Sequence, residues 1–523
     1  MPEKHNKVKY RVWEPLLVAI SAAIGLLAGY NMNFNNNDYS LINFQNGSSQ
    51  NVSHQDGRIE EILRFIETNY VDSLNHDVIA VDAIKHILRQ LDPHSSYISP
   101  DQWEDHNEKM EGEYNGIGIE TLMLKDTFFI CRLLEEGPAE KAGIRVGDAL
   151  LQINGDTIAG NNTPFSTIRS YFKNNADKEI SIMLKHVDSE ENEIIKINPK
   201  TIEMSSANNS YLIDEQTAYL EMTRFSSNTY EQFMKSIETL IGDKKRMNLI
   251  IDLRDNPGGF LPEAISILSQ LFEDKDRLLC YTEGLNRKKA EYFSTGKSFF
   301  NIGKIAVLIN EYSASGSEIL AGAIQDWDRG VVIGKQSYGK GLVQEIFPLK
   351  NGGALRLTIA KYYTPSGRLI QKSYQNINKS FHLDSNEYKT LLLEREVAGG
   401  GGIIPDVTVD ATLSEYCYSM KDYADYYIIN EMVKAKSDDI ELEVLNTDAF
   451  KSFILNTYGD AYEELTNGCD MDFSDFLKAR YIRISEGEAA YLDAINAKDA
   501  YVNEALKFIN NQKTTMALLA EEN

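Results

Sequence analysis

Three serines, Ser313, Ser315 and Ser317, fall in the run SASGSE, and a lysine flanked by two glycines, Lys340, follows in YGKGLVQ. A hydroxyl is a poor nucleophile until a base takes its proton, and a lysine can be that base only if its surroundings lower its pKa from ~10.4. Burial without a paired carboxylate does this, so the pairing points to acyl transfer. The pattern around these residues would present them suitably. Ile305 to Ile309 reads as a buried strand, and Ile319, Leu320, Ala323 and Ile324 recur at helical spacing, so the serines sit on a strand-to-helix turn where backbone amides face an attacking oxygen. Val331 to Ile333 reads as a second strand. A plainer reading competes: Ser315 and Glu318 fit the S-x-x-E capping box, in which the serine only satisfies helix N–H groups.

Longer motifs tip the balance. SASGSEILAGAIQD, YGKGLVQ, YYTPSGRLIQ and GGGIIPD follow one another in the order of the C-terminal processing (tail-specific) peptidase family, which this chain resembles over roughly residues 55 to 410. The resemblance implies a Ser–Lys dyad with Ser315 as nucleophile, Lys340 as base and Gln344 orienting the lysine. It alone picks Ser315 over its two neighbours, and Gly316 stands where the family usually carries alanine. NLIIDLRDNPGGFL resembles the family's oxyanion loop, with backbone N–H groups of Gly258 or Gly259 and of Gly316 as donors; on its own, Pro-Gly-Gly is simply a turn. Asp326 matches an acidic position near the dyad and reads as a supporting charge that balances a nearby cation. His94, in LDPHSSYISP, receives no role from the resemblance and reads as a structural turn histidine.

The segment from about Met110 to Lys200 resembles a PDZ domain. EYNGIGIE would supply its loop at Gly116, Ile117, Gly118 and Ile119, a backbone cradle for a C-terminal carboxylate beside an exposed strand edge. The run GPAEKAGIRVGDALLQINGDTI matches the same pattern. The fold expected is therefore α/β and multidomain: a spiral protease core of the type shared with crotonase-like proteins, an inserted β-rich PDZ domain and helical segments at both ends.

A chain of 523 residues has room for three or four domains. Its 53 basic and 78 acidic side chains give a net charge of −25, which phosphate backbones would repel, so nucleic acid is not expected as a partner. Cys131, Cys280, Cys417 and Cys469 show no metal or disulfide spacing, and the chemistry needs no metal or cofactor. Residues 1–14 are basic, 15–32 apolar, 33–55 rich in Asn, Ser and Gln like a tether, 56–109 helical in pattern, and 110–200 PDZ-like. Residues 201–410 form the protease core and 411–523 an acidic helical extension of unassigned role. Leu442, Leu445, Phe450, Phe453 and Ile454 are its candidate core.

The reading is a serine endopeptidase that engages free C-termini of proteins or peptides; the alternatives are a non-catalytic PDZ adaptor and a structural envelope component. A homodimer through the helical ends is what the resemblance implies, and neither an activator nor the natural substrate can be read. Lys4, Lys7, Lys9 and Arg11 precede the apolar run, and no Lys or Arg follows until Arg58. The positive-inside rule then puts the catalytic part on the periplasmic side of a bacterial inner membrane, with the run as an anchor in preference to a cleaved signal, since no A-x-A site follows it. The full-length protein is expected to sediment with membranes; a mature N-terminus near Asn31 in the soluble fraction would instead mean cleavage.

Overall fold

The computed structural model describes residues 57–186, 189, 191–350, 352–376, 379–380, 387–409, 420–435, 442–459 and 473–521. The expected anchor and tether lie outside these, and among the described residues no helix is long and apolar enough to cross a membrane. Two compact units divide the chain at residue 80. In the first, helix α1 (Arg58–Asn69) forms as its 3.6-residue pattern requires, yet Ile59, Ile62 and Phe65 on it are 56, 57 and 63% exposed. Helix α2 (His76–Arg89) leads out of that unit.

The second unit begins with a departure from the sequence reading. Within residues 56–109, read as helical throughout, Ser96–Ile98 forms strand β1, and helix α3 (Pro100–Glu111) follows it, starting with proline where no amide partner is needed. Strands β2 (Glu113–Gly116) and β9 (Lys200–Glu203) then pair antiparallel as a neck, Gly116 opposite Lys200. Everything between them is an insertion. It contains β3 (Ile119–Leu124), β4 (Thr127–Leu133), β5 (Ala149–Ile153), β6 (Asp156–Thr157), β7 (Ile180–Lys185) and β8 (Asn192–Ile197), with helices α4 (Pro138–Lys141) and α5 (Phe165–Asn174). The sheet runs β3-β4-β5-β7-β8, so β3 is an edge strand, and Ile117, Ile130, Leu150, Ile153 and Ile182 fill a core of its own.

Beyond the neck lie β10 (Ser210–Leu212), β11 (Thr217–Glu221), α6 (Thr229–Ile241), β12 (Met247–Asp252), α7 (Leu261–Leu271), β13 (Lys275–Gly284), β14 (Arg287–Thr295), β15 (Ile302–Ile309), α8 (Gly316–Asp326), β16 (Val331–Gly334), β17 (Leu342–Pro348) and β18 (Ala354–Tyr363). Short strands β19 (Gln375–Asn376), β20 (Lys379–Ser380), β21 (Glu387–Lys389) and β22 (Glu396–Ala398) make two small hairpins, and β23 (Val407–Thr408) returns to the main sheet. That sheet is ordered β10-β11-β12-β15-β16-β23, with β11, β12, β15, β16 and β23 parallel. Its central strands read as unbroken apolar runs because both faces are covered: Leu249, Ile250 and Ile251 are all fully buried. The second sheet is β1-β18-β13-β14, with β17 also on β18.

The C-terminal extension is built from α9 (Lys421–Ala435), α10 (Thr447–Tyr458), α11 (Phe473–Glu486), α12 (Glu488–Asn496), α13 (Ala500–Ile509) and α14 (Thr515–Glu521). Leu445, Phe450 and Ile454 are core there as expected, whereas Leu442 is 48% exposed. Two contacts give the extension its place. Ile429 and Ile484 cover Leu122, Leu124 and Cys131 on the outer face of the PDZ-like sheet, and Tyr501, Val502 and Ala505 pack on β15 and β16.

Asp326 ends α8, the helix that Ser315 begins, so some eleven residues at ~1.5 Å each separate the two. It is fully buried and paired with Arg368, itself fully buried, and accepts from the Ser366 amide at 2.8 Å. Its cation is therefore structural, tying the far end of α8 to the chain after β18. Arg368→Met would leave a buried carboxylate without its counter-charge, and a loss of about 3–5 kcal/mol is expected in urea unfolding.

Candidate functional site

Ser315 occupies the turn between β15 and α8 with φ +55° and ψ −111°, a conformation that side chains other than glycine rarely hold. Strain of this kind persists only where neighbours enforce it, and here two serines do. Ser313 donates its hydroxyl to the Leu253 carbonyl at 2.7 Å, and Ser317 donates to the Asn256 carbonyl at 3.0 Å. Both are fully buried. Among the described residues Ser315 alone of the three donates its hydroxyl to nothing. The structure thus distinguishes the three serines by what each hydroxyl does, a distinction their spacing could not supply.

The capping box is present as well. Glu318 accepts from the Ser315 amide at 2.8 Å, but this is only one of four bonds to a carboxylate that is wholly buried. Its other donors are the Ser337 hydroxyl at 2.6 Å and the amides of Gly339 at 2.7 Å and Lys340 at 2.9 Å. One side chain therefore fastens the serine turn to the lysine turn. Burial pushes its carboxyl up to about 7, the four donors pulling the other way. Because this folded value lies above the usual one, stability from Glu318 is complete in acid and declines as pH rises towards 7. Sequence reasoning saw in Glu318 only a helix cap.

Lys340 lies at the end of the turn that leads from β16 into β17. Burial, then the nearby Arg356 guanidinium, push its amine down to about 8, against smaller opposing effects of Glu318 and Asp92. Among the described residues its Nζ has no hydrogen-bond or ion-pair partner, so it is not bonded to Ser315 Oγ; such contacts commonly tighten only when substrate is bound. Gln344 is on β17, where its Nε2 donates to Thr358 Oγ1 at 3.3 Å, leaving its carbonyl oxygen as an acceptor. Tyr362, fully buried, donates its hydroxyl to the Ser315 carbonyl at 3.2 Å.

The loop after β12 is held by a side-chain lattice. Asp252 accepts from Tyr219 at 2.6 Å and is gripped by Arg254, whose other arm reaches Asp499 at 2.7 Å. Asn256 donates to the Met222 carbonyl at 2.7 Å and accepts the Gly258 amide at 2.8 Å. The latter bond corrects one expectation: the Gly258 N–H closes an Asx turn and is not available as a donor. Gly258 matters instead through its missing side chain, since a Cβ there would lie 2.7 Å from both Ser315 Cβ and the Gly316 nitrogen. The bridge to Phe225 uses the Gly258 carbonyl and the Phe260 amide, so the Gly259 amide remains. Gly316, first in its helix, has no intrahelical acceptor. Two amides therefore survive as donors beside Ser315.

Of the PDZ-loop residues, Gly116 belongs to the neck and the Ile117 side chain is buried in the domain core. The Ile117 and Gly118 carbonyls accept from Ala139 and Leu134, each at 2.9 Å, which fixes the turn into edge strand β3. His94, read as structural, meets Tyr338, two residues before the lysine, edge-on at 6.5 Å, and among the described residues its buried Nε2 has no hydrogen-bond partner.

Residues 216–379 match Peptidase family S41, and residues 129–185 match a PDZ domain. A carboxy-terminal-processing protease of Bartonella bacilliformis is 34% identical over 328 residues, 62% of this chain and 74% of that protein. The carboxy-terminal processing protease CtpB of Bacillus subtilis is 30% identical over 317 residues, 60% of this chain and 65% of the relative. Among solved structures, the photosystem II D1 C-terminal processing protease aligns with 67% of this chain and 92% of its own at 21% identity, with a TM-score of 0.36. The family match contains the serine turn and the lysine turn and the PDZ match lies within the insertion, and the chain belongs to the carboxy-terminal-processing serine peptidases of family S41.

Proposed function

We propose that the protein is an endopeptidase working through a Ser315–Lys340 dyad. The observation that carries this reading is an amine with no counter-ion among the described residues, pushed down to about 8, on a turn that Glu318 ties to a serine whose hydroxyl accepts a capping bond and donates none. Neutral Lys340 takes the proton of Ser315 as Oγ attacks the scissile carbonyl. The oxyanion so formed accepts from the Gly259 and Gly316 amides, which need no reorganisation because the lattice around Asn256 and Ser317 already holds them. As the C–N bond breaks, the lysine returns its proton to the leaving amine. Water then repeats the sequence on the acyl-enzyme, and Oγ regains its hydrogen.

The PDZ domain is proposed to take a free C-terminus along edge strand β3, its carboxylate in the turn at Gly118 and Ile119, in the manner of strand addition. Export of the catalytic part across the inner membrane, with residues 15–30 as anchor, is proposed on the basic residues before that run. The exposed stripe on α1 supports a contact with a second copy.

Ser315→Ala, Lys340→Ala and the double mutant are expected to lose activity to the same extent, about 10⁴- to 10⁶-fold, because the pair acts as one unit. Lys340→Arg is expected to be equally inactive. Since the active form carries a neutral lysine, kcat/KM is expected to rise with pH through a single ionisation near 8. Ser313→Ala and Ser317→Ala should leave the chemistry largely in place while lowering stability by ~1 kcal/mol each. A folded Ser315→Ala protein that still cleaves peptides would overturn the dyad.

For the PDZ domain, mass spectrometry of products from matched peptides with free and amidated C-termini is the measurement. Preference for the free form should vanish when residues 117–199 are removed, a deletion the neck allows because Gly116 and Lys200 already face each other. Equal cleavage of both peptides by the intact protein would remove carboxylate capture from its function.

A further inference from the structure

His94 is set into the site by the strands around it. Asp92 accepts the His94 amide at 2.8 Å, the Ser95 amide at 2.7 Å and the Ser95 hydroxyl at 2.8 Å, which fixes the turn. Ser95 Oγ accepts from the Thr358 amide at 3.1 Å, and Thr358 is the residue that Gln344 touches. The array β1-β18-β17 thus brings the histidine turn to the same end of the sheet as Lys340. Its ring rests against Tyr338, two residues before that lysine, and Lys372 Nζ lies 3.6 Å from the centre of the same tyrosine ring. A buried ring nitrogen with no partner among the described residues is costly to the resting fold, and a hydrogen bond made during the reaction is one reason to keep it.

We propose that His94 is a positioning residue for Lys340, its Nε2 accepting a hydrogen bond from the ε-ammonium that forms when the lysine takes the Ser315 proton. This rests on the dyad reading. An ammonium has three N–H donors, and the proposal assigns them three acceptors: Ser315 Oγ, the Gln344 carbonyl oxygen and His94 Nε2. The proton count is unchanged; one hydrogen passes from Oγ to Nζ and on to the leaving amine, and the imidazole neither gains nor loses one. That requires a histidine that stays neutral throughout. Burial first, then the positive charge of Lys340, with smaller effects of Arg356 and Lys372, push it down to about 4 against the opposing pull of Asp92.

The test compares His94→Phe, which removes the acceptor, with His94→Gln, which restores one, in the full chain on a peptide substrate. The phenylalanine variant is expected to lose about 10- to 100-fold in kcat, the strength of a hydrogen bond to a charged group, with KM and Tm unchanged. The loss should persist at pH 10, where the lysine is neutral before the reaction begins, and the acid limb should move to lower pH because the ammonium has lost an acceptor. His94→Gln should regain most of the rate. Wild-type kcat in His94→Phe, or a loss that follows Tm and is not regained by glutamine, would overturn the proposal. Should His94→Phe fail to fold, ¹⁵N-histidine NMR of the unmodified chain decides: a peptidyl boronic acid on Ser315 should shift the His94 Nε2 resonance without protonating the ring, and no shift overturns it. Activity in Ser315→Ala, measured alongside, would separately remove the dyad.

Discussion

Everything in the site depends on the buried carboxylate of Glu318. Four donors from two turns converge on it, one turn following β15 and the other running from β16 into β17, and the Tyr338 amide adds a second tie by donating to the Ser313 carbonyl at 3.0 Å. A carboxylate without water holds its donors strongly because any that let go would leave charge unsatisfied in a low dielectric. The relative position of Ser315 and Lys340 is thus set largely through backbone amides, and among the described residues neither the Ser315 hydroxyl nor the Lys340 amine donates to a partner. Glu318 spends its oxygens on amides and a hydroxyl, so it does not form the ion pair that would keep Lys340 protonated.

The same separation of duties runs through the loop after β12. Asn256 uses both ends of its amide within the fold and offers its own carbonyl to Ala314 and Ser317, so the loop and the serine turn are one piece. Glycines are required where backbones meet: a Cβ at Gly259 would lie 2.1 Å from the Phe225 carbonyl oxygen. Side chains that build the site point their polar atoms inward to backbone, whereas among the described residues the Ser315 hydroxyl and the Lys340 amine donate to nothing.

Much of this was legible in the sequence, and the limits were physical. Strand, turn and helix around Ser315 followed from periodicity, and the apolar runs at Met247–Asp252 and Ile302–Ile309 announced a parallel sheet covered on both faces. The PDZ-like segment was readable because its turns recur at fixed offsets. What could not be read were partnerships across sequence distance. Glu318 satisfied a local rule completely, so nothing pointed to Ser337 and Gly339 as further donors. Asn256 before Pro-Gly-Gly carried a turn signal, but not that its side chain would occupy the Gly258 amide. His94 looked ordinary because β1 is three residues long, too short for alternation to reveal a strand. Asp326 was read correctly as needing a cation, while Arg368 was hidden in a motif noted for other reasons.

The tie between Arg254 and Asp499 joins residues 245 positions apart, and Asp499 also caps α13 by accepting the Tyr501 and Val502 amides. During synthesis the loop that Arg254 organises is complete in sequence long before the carboxylate that steadies it. At ~5–20 residues per second the interval is roughly 10–50 s. Through that time the guanidinium holds one carboxylate instead of two, and β15 and β16 lack the helix that will cover them. Helix α13 is thus a late brace, and the loop around Arg254 reaches its finished form only when a segment made long after it has folded back onto β15 and β16.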